Sequence, residues 1–318
     1  MSEAVLAIDI GGTKTAVALV DRAGRILDTE LAPTPALEGP DAVIDTVRDL
    51  AITLLERSSG SVVVRGIGVA TAGVVNVREG SIVSSTDTLA DWAGTSVVTR
   101  IRAALGSACE SGYSVHVQND ADAHAAGEYS YGAAVGASSA LVVAVGTGVG
   151  AGIIIDGRVL RGARHVAGEI AHVPTPGADH LRCPCGRPGH LEAIGSGVGL
   201  HRHYLTLGGD PAASDARTVV ARAHTGDALA RRAIHDSATA VGRAIAAAVT
   251  LLDPEKVIVT GGVADIGDDW WQPMADSFHA EVIDALQDVP VIPGVLGGRA
   301  PLLGAAGSAW EALEVYAA

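Results

Sequence analysis

Two copies of one strand–turn–strand pattern constrain the fold of this 318-residue chain more than any other feature. Residues 4–27 and 140–160 each contain a β-branched apolar run, a turn of Gly and Thr, a second apolar run and a tight turn with Asp, Gly and Arg. Apolar runs on either side of a short glycine turn are typical of a β-hairpin. We therefore expect an α/β protein with two similar domains around a cleft.

Helical and strand patterns occupy much of the remaining chain. Apolar residues at helical spacing or good helix formers predict helices at 41–57, 97–106, 121–129, 227–252 and 302–315. Strands are predicted over 61–73, in SVHVQND and in KVIVTGG. Residues 129–155 carry no charge, as a membrane span would, but six glycines interrupt them. We interpret the second half of this stretch as two short buried strands rather than a membrane segment.

Composition excludes several classes of protein. The net charge of −14 and the presence of only two lysines argue against nucleic-acid binding, because an acidic chain repels phosphate backbones. Three cysteines do not make a disulfide framework, which favours a reducing compartment. The N-terminus lacks the basic region and cleavage pattern of a signal peptide. The sequence thus predicts a cytoplasmic protein without a membrane partner.

The glycine turns suggest phosphate binding, because successive backbone N–H groups in such turns can surround phosphate oxygens. Asp9, at the end of the preceding strand, could position hydrated magnesium. A P-loop is absent, and the G-x-G-x-x-A match within 146–151 precedes a strand where a dinucleotide site needs a helix. A lone glycine turn is usually only a hairpin, whereas three favour phosphate binding. The candidate residues are Gly11, Gly12, Thr13, Lys14, Gly146, Thr147, Gly148, Gly261 and Gly262.

Asn119-Asp120, at the predicted end of a strand, is the best candidate for acid–base chemistry. The Asp120 carboxylate could accept a proton from a hydroxyl whose oxygen attacks a γ-phosphorus. Taken alone, however, an Asn-Asp pair before a helix is more often a helix cap. Asp122 is a rival carboxylate. The local sequence does not decide between these interpretations.

A short loop carries a candidate metal site. Cys183, Cys185 and His190 form a C-x-C-x4-H cluster, and His172 lies upstream as a possible fourth ligand. Thiolates and imidazoles are the ligands that tetrahedral zinc selects. Two carboxylates, Glu169 and Glu192, bracket the cluster, and a loop held by metal could fix them against a polar ligand. The alternative is a polar surface loop with chance Cys and His.

Five motifs in order along the chain resemble those of the ROK sugar kinases, which belong to the actin-like ATPase superfamily. They are DIGGTK at 9–14, ND at 119–120, GTGVGAG at 146–152, GEIAH at 168–172 and CPCGRPGHLE at 183–192. The resemblance implies two actin-like (ribonuclease-H-like) domains. We expect a small N-terminal domain of residues 1–118 plus 301–318, and a large domain of residues 119–300.

The resemblance also implies roles for individual residues. Asp120 would be the catalytic base and Asn119 a sugar contact. Glu169, His172 and Glu192 match positions that bind sugar hydroxyls, and His172 also matches a zinc ligand. The segments SGVG at 196–199 and GGVAD at 261–265 resemble those that flank the nucleoside.

The sequence departs from the family pattern at three places. His190 stands where a third zinc-loop cysteine is usual, and it could either ligate zinc or act as a hydrogen-bonding spacer. Ala171 precedes His172 where glycine is common. Thr88 stands four residues before Trp92, where the family often has Asn, which leaves the identity of the sugar open.

These observations predict an ATP-dependent hexose kinase that uses Mg²⁺ and carries a structural zinc ion. O6 of glucose is the favoured acceptor, with an amino- or N-acetyl-hexosamine or mannose as alternatives. Polyphosphate could replace ATP as the donor. A sugar-sensing regulatory protein without catalysis is the alternative from another class. The resemblance further implies a homodimer or a dimer of dimers.

Overall fold

The computed structural model of the protein describes residues 1–86, 88–106 and 113–317, with side chains through residue 314. Cys109 therefore lies outside the described residues. The chain divides into two compact units. The first combines Met1–Gly136, Gly157–Ala167 and Gly298–Ala318, and the second combines Ala137–Asp156 and Gly168–Gly297.

Strands and helices alternate along much of the chain. The strands are β1 Ser2–Ile10, β2 Lys14–Val20, β3 Ile26–Pro33, β4 Val62–Thr71, β5 Val74–Asn76, β6 Ser81–Ser84, β7 Ser114–Asn119, β8 Ala140–Val145, β9 Val149–Ile155, β10 Arg158–Val159, β11 Val257–Thr260 and β12 Val291–Pro293. The α-helices are α1 Pro40–Ser58, α2 Val97–Leu105, α3 Asp120–Tyr131, α4 Glu192–Gly195, α5 Gly197–Thr206, α6 Ala216–His224, α7 Ala228–Leu252, α8 Asp268–Glu281 and α9 Ala300–Ala317. The five helices predicted from the sequence are confirmed, with ends that differ by at most two residues.

A sheet with strand order β3-β2-β1-β4-β7 forms the centre of the first unit. The first three strands are antiparallel, whereas β1, β4 and β7 run parallel to one another. The apolar residues of these strands and the buried face of α1, which includes Val43, Val47 and Leu54, share one hydrophobic core. Because β1, β4 and β7 are parallel, their carboxyl ends lie at one edge of the sheet.

Small residues bring helices α3 and α9 of the first unit into close contact. A Cβ atom on Gly304 would lie 1.8 Å from the carbonyl oxygen of Ala123, and one on Gly127 would lie 2.3 Å from that of Ala300. Such backbone approach requires glycine on both helices. The structure therefore groups residues 119–136 with the first unit, whereas the predicted domain boundary placed them in the second.

A second sheet in the other unit has its strands in the order β9-β8-β11-β12. Strands β8 and β9 form an antiparallel hairpin, and β8, β11 and β12 are parallel. Helix α7 begins after Asp227, whose side chain accepts hydrogen bonds from Leu229 N and Ala230 N. It ends at Asp253, which adopts a left-handed conformation with φ of 46° before Pro254.

The uncharged residues 129–155 do not form one apolar helix. They contain the end of α3 and the buried hairpin of β8 and β9, as the glycine pattern predicted. Among the described residues, no helix has the length and apolar character that crossing a bilayer requires.

Candidate active site

Two predicted site carboxylates lie at the same edge of the first sheet. Asp9 is the penultimate residue of β1, and Asp120 follows directly after β7. Ile10, Thr71 and Asn119 are neighbours in register across the parallel strands. Burial and, to a smaller extent, the charge of Asp120 raise the pKa of Asp9 to about 7, although Lys14 opposes the shift. A pair of partly buried carboxylates of this kind is stabilised by a proton or a bound cation.

The first glycine turn follows Asp9 directly. Gly11 N donates to the carbonyl oxygen of Lys14 over 3.1 Å, which closes the turn between β1 and β2. A Cβ atom on Gly12 would lie 2.3 Å from Cγ2 of Thr88, so only glycine fits there without displacing that side chain. Thr88, the departure noted in the sequence, thus packs against the first turn.

Asn119 acts as the cap of helix α3. Its Oδ1 atom accepts hydrogen bonds from Ala121 N and Asp122 N, and its Nδ2 atom donates to the carbonyl oxygen of Gly73 over 2.9 Å. One Asp120 carboxylate oxygen accepts from Ala121 N over 2.9 Å. The capping interpretation is confirmed for Asn119, and its role as a sugar contact stays a prediction.

The two candidate base residues differ in their surroundings. Asp122 is buried and forms an ion pair with Arg161, whereas Asp120 is partly exposed at the end of the strand. Burial raises the pKa of Asp122, and Arg161 opposes that shift. Asp122 therefore serves as an internal ion-pair partner, and the geometry favours Asp120 as the group that meets a substrate. No sequence motif marked Arg161 as the partner of Asp122.

The second glycine turn is held by contacts from two other segments of the second unit. Gly146 N donates to Gly148 O over 2.8 Å, and the Gly146 carbonyl accepts from Gly197 N over 2.8 Å. Gly261 has φ of 101°, and a Cβ atom there would lie 2.5 Å from the carbonyl oxygen of Val145. Glycine is thus required where these backbones approach.

A cavity of about 700 Å³ opens beside this second turn. It brings together three segments that the sequence singled out: 146–148, 196–199 and 261–265. Its lining also includes polar side chains that no sequence motif had indicated: His201, Arg202, Ser214, Asp215 and Arg217. A cavity of this size suits a small molecule with polar groups.

The structure brings together all four predicted metal ligands. The ligand atoms of His172, Cys183, Cys185 and His190 all lie within 4.8 Å of one another. The sulfur of Cys183 is 3.6 Å from Nδ1 of His172, and that of Cys185 is 3.2 Å from Nδ1 of His190. Typical zinc–sulfur and zinc–nitrogen bonds at a tetrahedral angle place such atoms about 3.6 Å apart. The donor set therefore fits zinc.

Tight turns shape this loop. Cys183 N donates to the carbonyl oxygen of Arg187 over 2.9 Å, and Gly186 N donates to that of Cys183 over 2.9 Å. Gly186 and Gly189 have φ of 87° and 77°, a conformation that glycine adopts readily. Burial raises the pKa of the Cys183 thiol, so its deprotonation would be favoured by a bound cation.

The predicted sugar-binding carboxylates lie beside the metal ligands. Glu169 Oε2 is 3.6 Å from His172 Nε2. Glu192 is the first residue of α4, and its Oε2 atom accepts a hydrogen bond from Val149 N over 2.7 Å. Burial raises the pKa of Glu192, Val149 N opposes this, and the charge of Glu169 adds to it. Glu192 thus connects the loop of candidate metal ligands with the residue that follows the second glycine turn.

Comparison with known proteins identifies the family. The sequence pattern of the ROK family matches residues 5–311. The chain belongs to the ROK family. A glucokinase from Streptomyces coelicolor is 31% identical over 96% of this chain and 97% of its own length. An N-acetylmannosamine kinase from Citrobacter koseri is 32% identical over 90% of each chain.

A solved structure supports the same assignment. A ROK family glucokinase from Streptomyces griseus, in complex with glucose and AMPPNP, has a TM-score of 0.80 and 30% identity over 97% of this chain and 99% of its own. The family resemblance and the α/β fold with actin-like domains, both predicted from the sequence, are confirmed. The predicted enzyme class, a sugar kinase that transfers phosphate to an alcohol group, is confirmed by the same ROK relatives.

Proposed function

We propose that this ROK protein transfers the γ-phosphate of Mg-ATP to a hexose hydroxyl, with O6 of glucose as the favoured acceptor. The observation that carries the proposal is the position of Asp120 beside Asp9 and the first glycine turn, at the carboxyl ends of parallel strands. This edge of an α/β sheet is where ligands generally bind. The similarity to a glucokinase solved with glucose and AMPPNP supports the choice of substrates.

Asp120 acts as the general base in the proposed reaction. Its carboxylate accepts the proton of the sugar hydroxyl while that oxygen bonds to the γ-phosphorus. The bond from the γ-phosphorus to the bridging oxygen of ADP breaks, and ADP leaves. The hydrogen bond from Ala121 N holds one carboxylate oxygen, which fixes the orientation of the group.

The glycine turns bind the nucleotide phosphates in this proposal. Backbone N–H groups of residues 11–14 and 146–148 donate to phosphate oxygens. The cavity beside the second turn, which Gly262 helps to line, receives the nucleoside, and Gly261 lets the backbone beside Val145 approach closely. Mg²⁺ would be held through Asp9 and would neutralise charge on the phosphates. The raised pKa of Asp9 fits this role, since a buried carboxylate gains stability from a nearby cation.

Glu169, His172 and Glu192 bind the sugar in the proposed complex. Ionised carboxylates only accept hydrogen bonds and therefore match hydroxyl donors. The four-ligand cluster would hold a zinc ion with a closed shell, which would support the loop and leave no position for a catalytic water. Because Glu192 follows ligand His190 by two residues, the zinc loop fixes the start of α4 from which this carboxylate extends.

Other hexoses are alternative acceptors to glucose. An N-acetylmannosamine kinase shows sequence similarity comparable to that of the glucokinases, so N-acetyl-hexosamines and mannose are the alternative acceptors. A regulatory protein that binds sugar without catalysis is less well supported, because Asp9 and Asp120 lie close together at one edge of the first sheet. A sugar sensor has no need of such a carboxylate pair.

A phosphorylation assay that couples ADP release to a spectroscopic signal tests the proposal. Purified protein is given ATP, Mg²⁺ and, in separate wells, glucose, mannose, glucosamine, N-acetylglucosamine or N-acetylmannosamine. We expect turnover with glucose above the others, and NMR of the product should show phosphate on O6. Sugar binding by calorimetry without turnover for any sugar would favour the regulatory alternative. A parallel series with polyphosphate in place of ATP tests the donor.

Assembly and location stay predictions from the sequence. A homodimer or dimer of dimers is expected from the family resemblance and is measurable by sedimentation. A reducing cytoplasm is consistent with Cys183 and Cys185, which are free thiols in the described structure.

A further inference from the structure

We infer that Arg161 is a positioning residue for the base Asp120, an inference that rests on the proposed function. Arg161 lies in the segment Gly157–Ala167 of the first unit. Its Nη1 atom pairs with Oδ2 of Asp122, and its Nη2 atom donates to Oε1 of Gln118 over 2.6 Å. One guanidinium group therefore contacts residues on both sides of Asn119-Asp120.

The two contacts of Arg161 lie on either side of the junction between β7 and α3, which carries the base Asp120. Gln118 is the second-last residue of β7, and Asp122 lies in the first turn of α3. Asp120 occupies the junction between these elements. The guanidinium group is planar, and its donors have a fixed relative geometry. Binding both partners at once therefore fixes the start of α3 relative to the end of β7, and with it the direction of the Asp120 side chain.

A buried network extends this clamp into helix α9. Gln118 is fully buried; its Nε2 atom donates to the carbonyl oxygen of Gly304 over 3.1 Å, and its Oε1 atom accepts from Oγ of Ser308 over 3.2 Å. The side chains of Arg161 and Asp122 are 21% and 10% exposed. Charge-assisted hydrogen bonds in such surroundings are stronger and less screened than surface ion pairs. The position of Asp120 is thus tied to α9, which packs directly against α3.

A cavity of about 710 Å³ lies beside the clamp. Arg161 contributes to its wall together with His116, Arg158, Ser308 and Glu311. The cavity gives a small cation such as free guanidinium a route to the place of the Arg161 head group. Chemical rescue is therefore a practical test of this residue.

The test compares Arg161→Ala, Arg161→Lys and the matched control Arg158→Ala in the full-length protein. Arg158 lines the same cavity but is exposed. We expect kcat to fall by about 10- to 100-fold in both Arg161 variants, because displacement of a catalytic group by about 1 Å has effects of that size. The KM values for ATP and sugar should change by less than about threefold, since Arg161 contacts neither ligand in the proposed complex. Arg158→Ala should retain wild-type kinetics.

Chemical rescue with guanidinium distinguishes a positioning role of Arg161 from a role in stability alone. Guanidinium chloride at millimolar concentration should restore part of kcat in Arg161→Ala and not in Arg161→Lys, while melting temperatures of all variants are recorded. If Arg161→Ala unfolds, the neutral pair Arg161→Met with Asp122→Asn removes the buried charge and allows the same kinetics.

One result would overturn the inference. It is a folded Arg161 variant, single or paired with Asp122→Asn, that keeps wild-type kcat below its melting transition, whether or not its melting temperature is lower. Failure of the proposed function gives a different result, because the wild-type protein would then phosphorylate no hexose, or Asp120→Asn would also leave kcat unchanged.

Discussion

The two glycine-turn hairpins are both antiparallel, but they differ in the length of the turn and in the groups around it. In the first unit, Ile10 pairs with Thr15 across the turn, and in the second, Val145 pairs with Val149. The residue before the strand end is Asp9 in the first hairpin and Ala144 in the second. The first turn therefore follows a strand end with a carboxylate, and the second follows a strand end with an apolar side chain.

The difference separates the expected tasks of the two turns. Around the first turn, the buried Asp9 and the nearby Asp120 repel one another, which suits a site that binds a cation and accepts a proton. Around the second, backbone amides and a cavity of about 700 Å³ suit phosphate and nucleoside. The loop with the four candidate zinc ligands lies on the same unit as the second turn, and Glu192, which follows this loop, accepts a hydrogen bond from Val149 N directly after the turn. Substitutions around the first turn should therefore change mainly turnover, and substitutions around the second should change mainly ligand affinity.

The largest expected effect comes from removal of the base. Asp120→Asn keeps size and the hydrogen bond from Ala121 N but cannot accept a proton. We expect kcat to fall by about two to four orders of magnitude, with sugar and ATP still bound. Steady-state kinetics and calorimetry measure the two quantities. Asp28→Asn, which removes a carboxylate from a surface pair with Arg57, is the control. Near-normal turnover of the purified Asp120 variant would contradict the assignment and the division of tasks.

The next largest effect concerns stability in the absence of nucleotide and magnesium. The pKa of Asp9 rises from 3.8 to about 7 in the folded state, so between these values the folded protein binds more protons than the unfolded chain. The free energy of unfolding therefore falls as pH rises through this range, by at most about 4 kcal/mol from this group. Asp9→Asn should remove that part of the pH dependence.

Urea denaturation of the wild type and Asp9→Asn from pH 4.5 to pH 8 measures this difference. The variant should become the more stable protein toward pH 8, although it should be less active. Equal pH slopes in the two proteins would show that Asp9 is not the acidic centre of the first unit. The surface variant Asp28→Asn again serves as the control.

Local sequence patterns predicted the hairpins because their pairing depends on adjacent apolar runs and short turns. The long helix α7 was equally predictable from the sequence, because Asp227 caps its start and Pro254 follows its end. Helices α5 and α8 escaped prediction for physical reasons. Gly197 and Gly199 weaken the helical signal of the first, and Pro273 lies inside the second although its buried face recurs at Trp270, Met274 and Phe278.

The residues of the candidate site likewise fall into those that the sequence predicted and those that it did not. The motif residues were recognisable because each lies in a short, distinctive segment. The clamp of Arg161 was not, because its partners Gln118 and Asp122 are 43 and 39 residues away and share no periodic pattern with it. The polar wall at Ser214–Arg217 of the cavity beside the second turn is likewise assembled only by the fold.

An intermediate effect is expected from loss of the metal. Cys183→Ser or Cys185→Ser should release about one zinc ion per chain and raise the sugar KM by about 10- to 100-fold, because the loop that carries Glu192 loses its support. The ATP KM should change less, since the glycine turns do not depend on the metal. Elemental analysis and kinetics measure both effects.

Two further variants sharpen the zinc test. His190→Cys should keep metal and activity if this position ligates zinc. Cys109→Ser is a control for the chemical change, because this cysteine lies far from the cluster in sequence. Absence of zinc from unmodified protein purified without chelator would show that the polypeptide alone supports the sugar site.

The smallest effect tests the second turn directly. A Cβ atom on Gly146 would meet no other atom within 4 Å, and its φ lies outside the left-handed region, so Gly146→Val should fold normally. If phosphate approaches this backbone, the valine side chain should raise the Kd for ATP about tenfold, or about 1.4 kcal/mol, and leave sugar binding unchanged. Gly298→Val, at another glycine with no atom within 4 Å of its Cβ position, is the matched control. Gly11→Val is a less specific test of phosphate binding, because a Cβ atom there would lie 3.1 Å from the carbonyl oxygen of Lys14 even without phosphate. If calorimetry finds equal nucleotide affinity in wild type and Gly146→Val, the second turn has only a structural role. Phosphate binding would then depend on the first turn alone.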